Sequence, residues 1–255
     1  MPPCMNELHI ALEPYVLGEI GGLPITSTLL TSWVVMALII GWAVWVRARL
    51  RRVPVSSGQV VAEVVVGGVY DYIAEVLESR SLARKLLPIV LTLFLYITLA
   101  NLIGLLPGVG SVGFWEEAHG EHSLIPLLYP MNTDLNVTLA LALIAFVVIE
   151  YFGFRTLGLS YVKKFVNLRS VTGFFVGIIE AVSELARIVS FSFRLFGNIF
   201  AGKVLLLVLM ALVPFFIPAP MMGFEAFVGI IQGAIFALLT LFFVKIAISE
   251  HSEKH

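Results

Sequence analysis

Five long apolar stretches with few or no charges limit the fold of this chain more than any other feature. They cover residues 27–46, 86–106, 135–152, 171–216 and 222–248. A helix needs about 20 residues to cross a hydrocarbon core about 30 Å thick. Lipid offers no hydrogen-bond partner to a backbone that is not helical or closed into a barrel. The stretches therefore predict an all-α integral membrane protein with five membrane helices in a single membrane domain.

The composition excludes an ordinary soluble domain. Apolar residues make up 59% of the 255 residues and charged residues 13%, whereas soluble domains have about 45–50% and about 25%. The single cysteine, Cys4, excludes an internal disulfide framework and a multi-thiolate metal site. The sequence contains no HExxH, paired CxxC or glycine-rich phosphate loop. We therefore expect no metal, no cofactor and no nucleotide chemistry on this chain.

The positions of basic residues predict the orientation. No Lys or Arg occurs in residues 1–46, 107–133 or 211–224. The first stretch thus lacks the basic region that precedes a cleaved signal peptide, and we interpret it as a retained span. The positive-inside rule places the N-terminal segment 1–26 outside and the C-terminus in the cytoplasm, which five crossings satisfy. The basic residues behind this assignment are Arg47, Arg49, Arg51, Arg52, Arg155, Lys163, Lys164, Arg169, Lys245 and Lys254.

Two further segments are too polar to span the membrane. Residues 53–85 mix apolar with charged residues and predict an amphipathic helix on the cytoplasmic surface. The predicted outer loop, 108–133, carries His119 and His122 among three glutamates. A metal site is conceivable there, but a solvated acidic loop is the simpler interpretation.

The fourth apolar stretch is too long for an upright helix. Its 46 residues would form a helix about 70 Å long, which moderate tilt does not fit into a bilayer. Either it breaks near Gly197 or Gly202, or it lies strongly inclined.

Polar residues recur along this stretch at spacings of three and four. At 100° per residue they lie within about 120° of one another, so they form one polar stripe on an otherwise apolar helix. The stripe consists of Glu180, Ser183, Glu184, Arg187, Ser190, Arg194 and Asn198.

Arg194 is the most costly residue of the stripe. Moving a charge into a membrane costs about 2.5–3.5 kcal/mol on insertion scales, so such residues usually face a partner, a cavity or an ion path. A buried salt bridge to Glu180 or Glu184 is the structural alternative, but these lie about 21 and 15 Å away along the helix axis. Arginine keeps its proton in proteins, so Arg194 is a fixed charge rather than a relay.

The last stretch adds Glu225 and Gln232, which are seven residues apart and share a face. Glu225 could be an ordinary interfacial residue, since it lies near the predicted outer end. Lys203 points away from Arg194 by about 180° around the fourth helix. We therefore hypothesise that Lys203 faces the last helix and pairs with Glu225.

Four motifs, in order, resemble one known family. The segment from Ser190 to Gly202, with Arg194-Leu-Phe-Gly-Asn198 at its centre, is similar to the signature of subunit a of F-type ATP synthases. The segments 232–240, 101–107 and 130–138 resemble this family's closing helix, the end of its second span and the entry to the next. The resemblance covers roughly residues 85–250.

The resemblance implies a function and partners. It implies a stator subunit whose last two helices are long, strongly inclined and wrapped around a ring of c subunits, with Arg194 facing the ring between two offset half-channels. Glu180, Ser183 and Ser190 match positions of the cytoplasmic half-channel. Asn198, Glu225 and Gln232 match the outer half-channel or its junction.

The same resemblance implies a bacterial-type plasma membrane location and contacts with the peripheral-stalk subunit b, the remaining F1Fo complex and lipid, but not nucleic acid. The ion, H⁺ or Na⁺, is chosen mainly by the rotor chain. Possible modulators of the path are Lys203, Glu184, Arg187 and Asp134.

The chain also departs from the family. Lys203 stands where an acid or histidine is common, and Glu225 where some members carry histidine. Since a lysine is a poor proton relay unless strongly desolvated, Glu225 is the better candidate for the outer path.

Two other functions fit parts of the pattern. A secondary transporter would suit an intramembrane arginine and glutamate, but the sequence has no inverted repeat or paired broken helices. A membrane scaffold without transport would leave the polar stripe without a purpose.

Overall fold

The computed structural model has six α-helices and two β-hairpins in its described residues, 15–49, 57–106, 108–118, 121–158, 161, 171–213 and 216–249. The helices are α1 (Ser27–Arg49), α2 (Ser57–Leu77), α3 (Arg80–Gly104), α4 (Leu135–Leu157), α5 (Val171–Leu212) and α6 (Pro218–Ser249). Sequence predictions that concern Cys4, His119 and the basic residues of segments 50–56, 162–170 and 250–255 lie outside the described residues.

The prediction of an all-α membrane protein is confirmed. Five described helices, α1, α3, α4, α5 and α6, are long and apolar enough to cross a membrane. Helix α5 is continuous over 42 residues and does not break at Gly197 or Gly202, so it is about 63 Å long. Its excess over the thickness of the hydrocarbon core has to be absorbed by strong inclination. Helix α6, with 32 residues, is about 48 Å long and has the same constraint.

The predicted helix over 53–85 is shorter in the structure, because the chain turns after Leu77. Glu78 adopts a left-handed conformation with φ 53°, a conformation that commonly ends helices. Ser79 then caps α3 by accepting a hydrogen bond from the Leu82 backbone N–H. Helix α3 therefore begins at Arg80 rather than near residue 86, and its first turns carry charges that the hydropathy pattern had assigned to the surface helix.

Two antiparallel hairpins were not predicted. Strands β1 (Val16–Ile20) and β2 (Leu23–Thr26) are joined by Gly21 and Gly22, both with positive φ. A Gly-Gly pair between short apolar runs is a known hairpin signal that hydropathy analysis overlooks. Strands β3 (Gly113–Ala118) and β4 (Glu121–Pro126) form the second hairpin, inside the segment interpreted as a solvated loop.

Helices α3 and α6 approach each other closely through two glycines. An added Cβ on Gly229 would lie 2.8 Å from the Asn101 Cβ, and one on Gly233 would overlap the Thr98 Oγ1. Small residues at such spacings allow backbones of membrane helices to approach. The Asn101 side-chain amide donates to the Gly229 carbonyl at 2.9 Å, so the contact includes a buried polar bond.

Helices α4, α5 and α6 form the second part of the core with α3. Phe191 of α5 packs edge-on against Phe236 of α6 with ring centroids 4.8 Å apart. Thr138 of α4 and Ser192 of α5, both buried, share a hydroxyl hydrogen bond of 3.2 Å. Thus the middle of α5 is fixed to both neighbouring helices.

We predict that Gly233→Ala destabilises the protein. The new Cβ overlaps Thr98 and lies 3.2 Å from the Phe94 carbonyl oxygen, and overpacking of this kind costs about 1–3 kcal/mol. Gly41→Ala is the matched control, since that added Cβ meets nothing within 4 Å in α1. Thermal unfolding in detergent should show a lower midpoint for Gly233→Ala alone. Equal midpoints for the two variants would contradict the proposed tight α3–α6 contact.

Candidate functional site

Helix α5 is a peripheral helix with one face buried and the other exposed. Among the 18 most apolar consecutive residues of α5, only 11% are buried, whereas 39% are buried in the corresponding segments of α3, α4 and α6. The buried face includes Phe191, Leu195 and Ile199 and packs inside the bundle. The opposite face, with Val182, Val189 and Phe193, is exposed, so it is available to lipid or to another subunit.

Arg194 lies at the border of these two faces and is exposed. Its guanidinium donates to the Ser190 hydroxyl at 3.4 Å, one turn away. Among the described residues, no carboxylate lies within the 4.0 Å of a salt bridge to Arg194. The neighbouring Phe193 is 55% exposed. Arg194 is therefore a positive charge on an apolar outer surface, which is stable in a membrane only beside a partner or water.

Glu184 and Arg187, in contrast, form an internal ion pair. Glu184 is buried, and the Arg187 guanidinium donates to its Oε2. The same guanidinium lies 4.1 Å from the centre of the Phe243 ring on α6, a favourable cation–π position. The predicted stripe is thus divided: one pair of charges is neutralised inside the bundle, and Arg194 faces outward.

The remaining residues of the stripe lie toward the N-terminal half of α5 or just beyond Arg194. Ser183 is exposed and donates to the Ile179 carbonyl at 2.8 Å, and Ser190 is also exposed. Glu180 and Asn198 are half-buried. The exposed serines share the side of α5 that carries Arg194, whereas Glu180 and Asn198 lie on its buried edge.

A cavity of about 380 Å³ lies between the end of α3, the following loop, α5 and the start of α6. Its polar lining consists of Asn101, Ser111, Asn132, Lys203 and Glu225. Asn198 and Gln232, which the sequence grouped with Glu225, do not line this cavity. The charge pattern predicts that this end of the bundle lies on the outer side of the membrane.

The Glu225 carboxyl group lies in a space left by the missing side chain of a glycine on α5. Glu225 is 7% exposed, and its Oε2 has no hydrogen-bond partner among the described residues. A Cβ on Gly202 of α5 would lie 2.7 Å from the Glu225 Oε1. Gly202 therefore provides the space in which the carboxyl group sits, and the carboxyl group keeps unused hydrogen-bonding capacity.

The hypothesised Lys203–Glu225 pair is not a direct ion pair. Both residues line the cavity and interact electrostatically, but the Lys203 Nζ and the Glu225 carboxylate oxygens do not come within the 4.0 Å of a salt bridge. The Lys203 ammonium lies instead 3.2 Å from the centre of the Tyr129 ring. Lys203 does not pair directly with Glu225 because the aromatic face of Tyr129 competes for its ammonium.

Two asparagines of the cavity were missed as site residues. The Asn132 side-chain amide donates to the Asn101 Oδ1, which links the loop before α4 to α3. Both residues are buried. They occurred in the motifs at 101–107 and 130–138, and the signal that could have found them is a polar amide at the end of an apolar stretch.

Asp134 stabilises the junction between two helices. It caps α4 by accepting from the Asn136 backbone N–H at 2.9 Å. Its other oxygen accepts from the Thr28 hydroxyl at 2.8 Å. Asp134 therefore joins the starts of α1 and α4, and it does not line the cavity that holds Glu225.

The chain is similar to known proteins of one family. Residues 29–245 match the family model described as ATP synthase A chain. The chain is 35% identical over 211 residues to ATP synthase subunit a of Desulfotalea psychrophila, covering 82% of this chain and 79% of that protein. It is 31% identical to ATP synthase subunit a of Legionella pneumophila (strain Paris), with 92% of each chain covered. It is 29% identical to ATP synthase subunit a of Citrifermentans bemidjiense, with 94% of each chain covered.

We predict that the Glu184–Arg187 pair contributes to stability as a unit. Glu184→Gln leaves a largely desolvated guanidinium without its counter-charge, and breaking a buried pair costs about 3–5 kcal/mol. The double variant Glu184→Gln/Arg187→Met should recover much of this loss, because no unpaired charge remains. The exposed Leu185→Ala is the control. Thermal unfolding in detergent compares these three variants with the unmodified protein, and a double variant less stable than Glu184→Gln would contradict the prediction.

Proposed function

We propose that Arg194 is the fixed charge that faces the rotor of an ATP synthase. The chain belongs to the ATP synthase A chain family, whose members are the ion-translocating subunit of the membrane sector. The single observation that carries this proposal is the exposed, unpaired position of Arg194 on an apolar face of α5. A ring of c subunits, each with a membrane carboxyl group, would supply both the missing counter-charge and the cover for this face.

The chemistry of that contact explains coupling. A carboxyl group in lipid is stable when neutral and costly when ionised. Beside Arg194 the ionised form is favoured, so the rotor site releases its ion as it reaches the stator. It re-enters lipid only after it binds another ion. The fixed charge also opposes a direct leak of cations between the two half-channels, since arginine does not lose its proton.

The cavity beside Glu225 is our candidate for the outer half-channel. It has polar side chains in its lining, lies at the predicted outer end of the bundle, and contains a buried carboxyl group with an unused oxygen. We assign Glu225 to ion exchange with this cavity. Asn198 on α5 and Gln232 on α6 are assigned to the junction between the cavity and the rotor, because they lie deeper along the same two helices than Glu225.

The cytoplasmic half-channel is assigned to Glu180, Ser183 and Ser190. The two serines are exposed on the side of α5 that carries Arg194, and Glu180 lies at its buried edge. Glu184 and Arg187 are assigned to stabilising the bundle, since their charges neutralise each other in an ion pair. Asp134 is assigned to the helix junction that it caps.

The location and assembly follow from membership in this family and from the charge pattern. The chain is a multi-pass membrane protein that works within the ATP synthase complex. We propose a bacterial plasma membrane, an outer N-terminus and a cytoplasmic C-terminus. We also propose contact with the c ring and subunit b, with ATP chemistry on other subunits.

We predict that Arg194→Ala abolishes ion-driven ATP synthesis by the whole complex in liposomes. Arg194→Lys should also lose most activity, because a compact ammonium does not replace the planar guanidinium. Leu205→Ala, about three turns further along the same helix on exposed apolar surface, is the assembly control. Retained synthesis in Arg194→Ala would disprove the assignment. Sodium dependence of ATP hydrolysis by the unmodified complex would identify the transported ion.

We predict that Gly202→Ala lowers ATP synthesis because its Cβ occupies the place of the Glu225 carboxyl group. Glu225→Asp shortens the acid by one methylene, so the double variant Gly202→Ala/Glu225→Asp should recover activity relative to Gly202→Ala. Gly223→Ala, where an added Cβ meets nothing within 4 Å, is the control. A double variant no more active than Gly202→Ala would argue against steric displacement of Glu225.

A further inference from the structure

The Lys203 ammonium contacts the ring of a tyrosine that lies outside the membrane helices. The Lys203 ammonium lies 3.2 Å from the centre of the Tyr129 ring, although the acid Glu225 lines the same cavity. An ammonium in a partly desolvated place would normally approach a carboxylate, because opposite charges attract strongly at low dielectric. The two charges interact electrostatically across the cavity but do not form a direct ion pair.

Tyr129 is held firmly in its position. Its backbone N–H donates to the hydroxyl of Thr31, a fully buried residue of α1, at 3.0 Å. Its ring packs edge-on against Tyr15, with centroids 5.3 Å apart. The following residue, Pro130, contacts Gly104 at the end of α3 so closely that an added Cβ there would lie 3.0 Å from the Pro130 Cβ. Tyr129 is thus packed against α1 and Tyr15, directly beside the cavity that Pro130 and Lys203 line.

The Tyr129 ring also stays neutral. Burial raises the pKa of the Tyr129 phenol above its usual value, and the neighbouring Tyr15 adds to this effect. A neutral ring attracts a cation through its quadrupole and does not require that the phenol be ionised. Lys203, Glu225, Tyr129 and Tyr15 are the titratable groups that meet in this region.

We propose that Tyr129 is a positioning residue that holds the Lys203 ammonium away from Glu225, so that the Glu225 carboxyl group stays free to take up and release the transported ion. The inference rests on the proposed role of Glu225 in the outer path. A direct ion pair would favour one charge state of the acid, whereas exchange requires both states. Held at a distance, Lys203 still contributes a positive potential to the cavity.

The test is gradient-driven ATP synthesis by the whole complex in liposomes, with imposed gradients of both H⁺ and Na⁺. Tyr129→Leu removes the ring, and the rate should fall roughly two- to fivefold, the loss equivalent to one cation–π contact. Tyr129→Phe keeps the ring and should retain the rate of the unmodified complex. Tyr129→Met is a second variant without a ring, in case Tyr129→Leu does not assemble.

A second comparison shows whether Tyr129 acts through Lys203. In a Lys203→Met background there is no ammonium to collapse onto Glu225, so Tyr129→Leu should cause no further loss. The same fold-loss in both backgrounds, no loss in either, or an equal loss in Tyr129→Phe would overturn the proposal. Glu225→Gln tests the underlying role separately: full synthesis in that variant would remove Glu225 from the ion path, whatever the Tyr129 variants show.

Discussion

The close contact between α3 and α6 is the constraint on which the rest of the site depends. Without side chains at Gly229 and Gly233, the two backbones approach until Asn101 bonds the Gly229 carbonyl. Lipid offers no hydrophobic driving force between helices, so packing and such polar bonds have to hold them together. This contact fixes the start of α6 beside the end of α3, and that arrangement places Glu225 in a cavity rather than on the surface.

The charges of the membrane helices fall into three environments. Glu184 and Arg187 neutralise each other inside the bundle. Lys203 and Glu225 share a cavity without a direct ion pair. Arg194 faces outward beside exposed aromatic surface. Since each uncompensated charge in a membrane is costly, Arg194 needs a partner or water at its exposed position, which agrees with a chain that works in a larger complex.

Much of this structure could be predicted from the sequence, because the membrane restricts the backbone to few solutions. Hydropathy gave the five membrane helices, and helical periodicity put Lys203 opposite Arg194. The same periodicity did not separate Arg187 from Arg194, since they lie only about 20° apart around the helix and burial on neighbouring helices distinguishes them. Tyr129 lies in a loop and Asn132 in the short 3-10 helix that follows it, and their contacts depend on tertiary packing that no local pattern encodes. The short hairpins were missed for a related reason, because their strands are too short for a clear alternation.

The unbroken form of α5 has a mechanical consequence. A rotor that passes Arg194 would exert a sideways force on this helix. A break at Gly197 or Gly202 would let the helix flex as a hinge, whereas a continuous helix bends little. Two contacts that fix this helix, between Phe191 and Phe236 and between Thr138 and Ser192, lie within one turn of Arg194. A force on Arg194 would therefore act close to these contacts and would pass to α4 and α6 with little bending of α5.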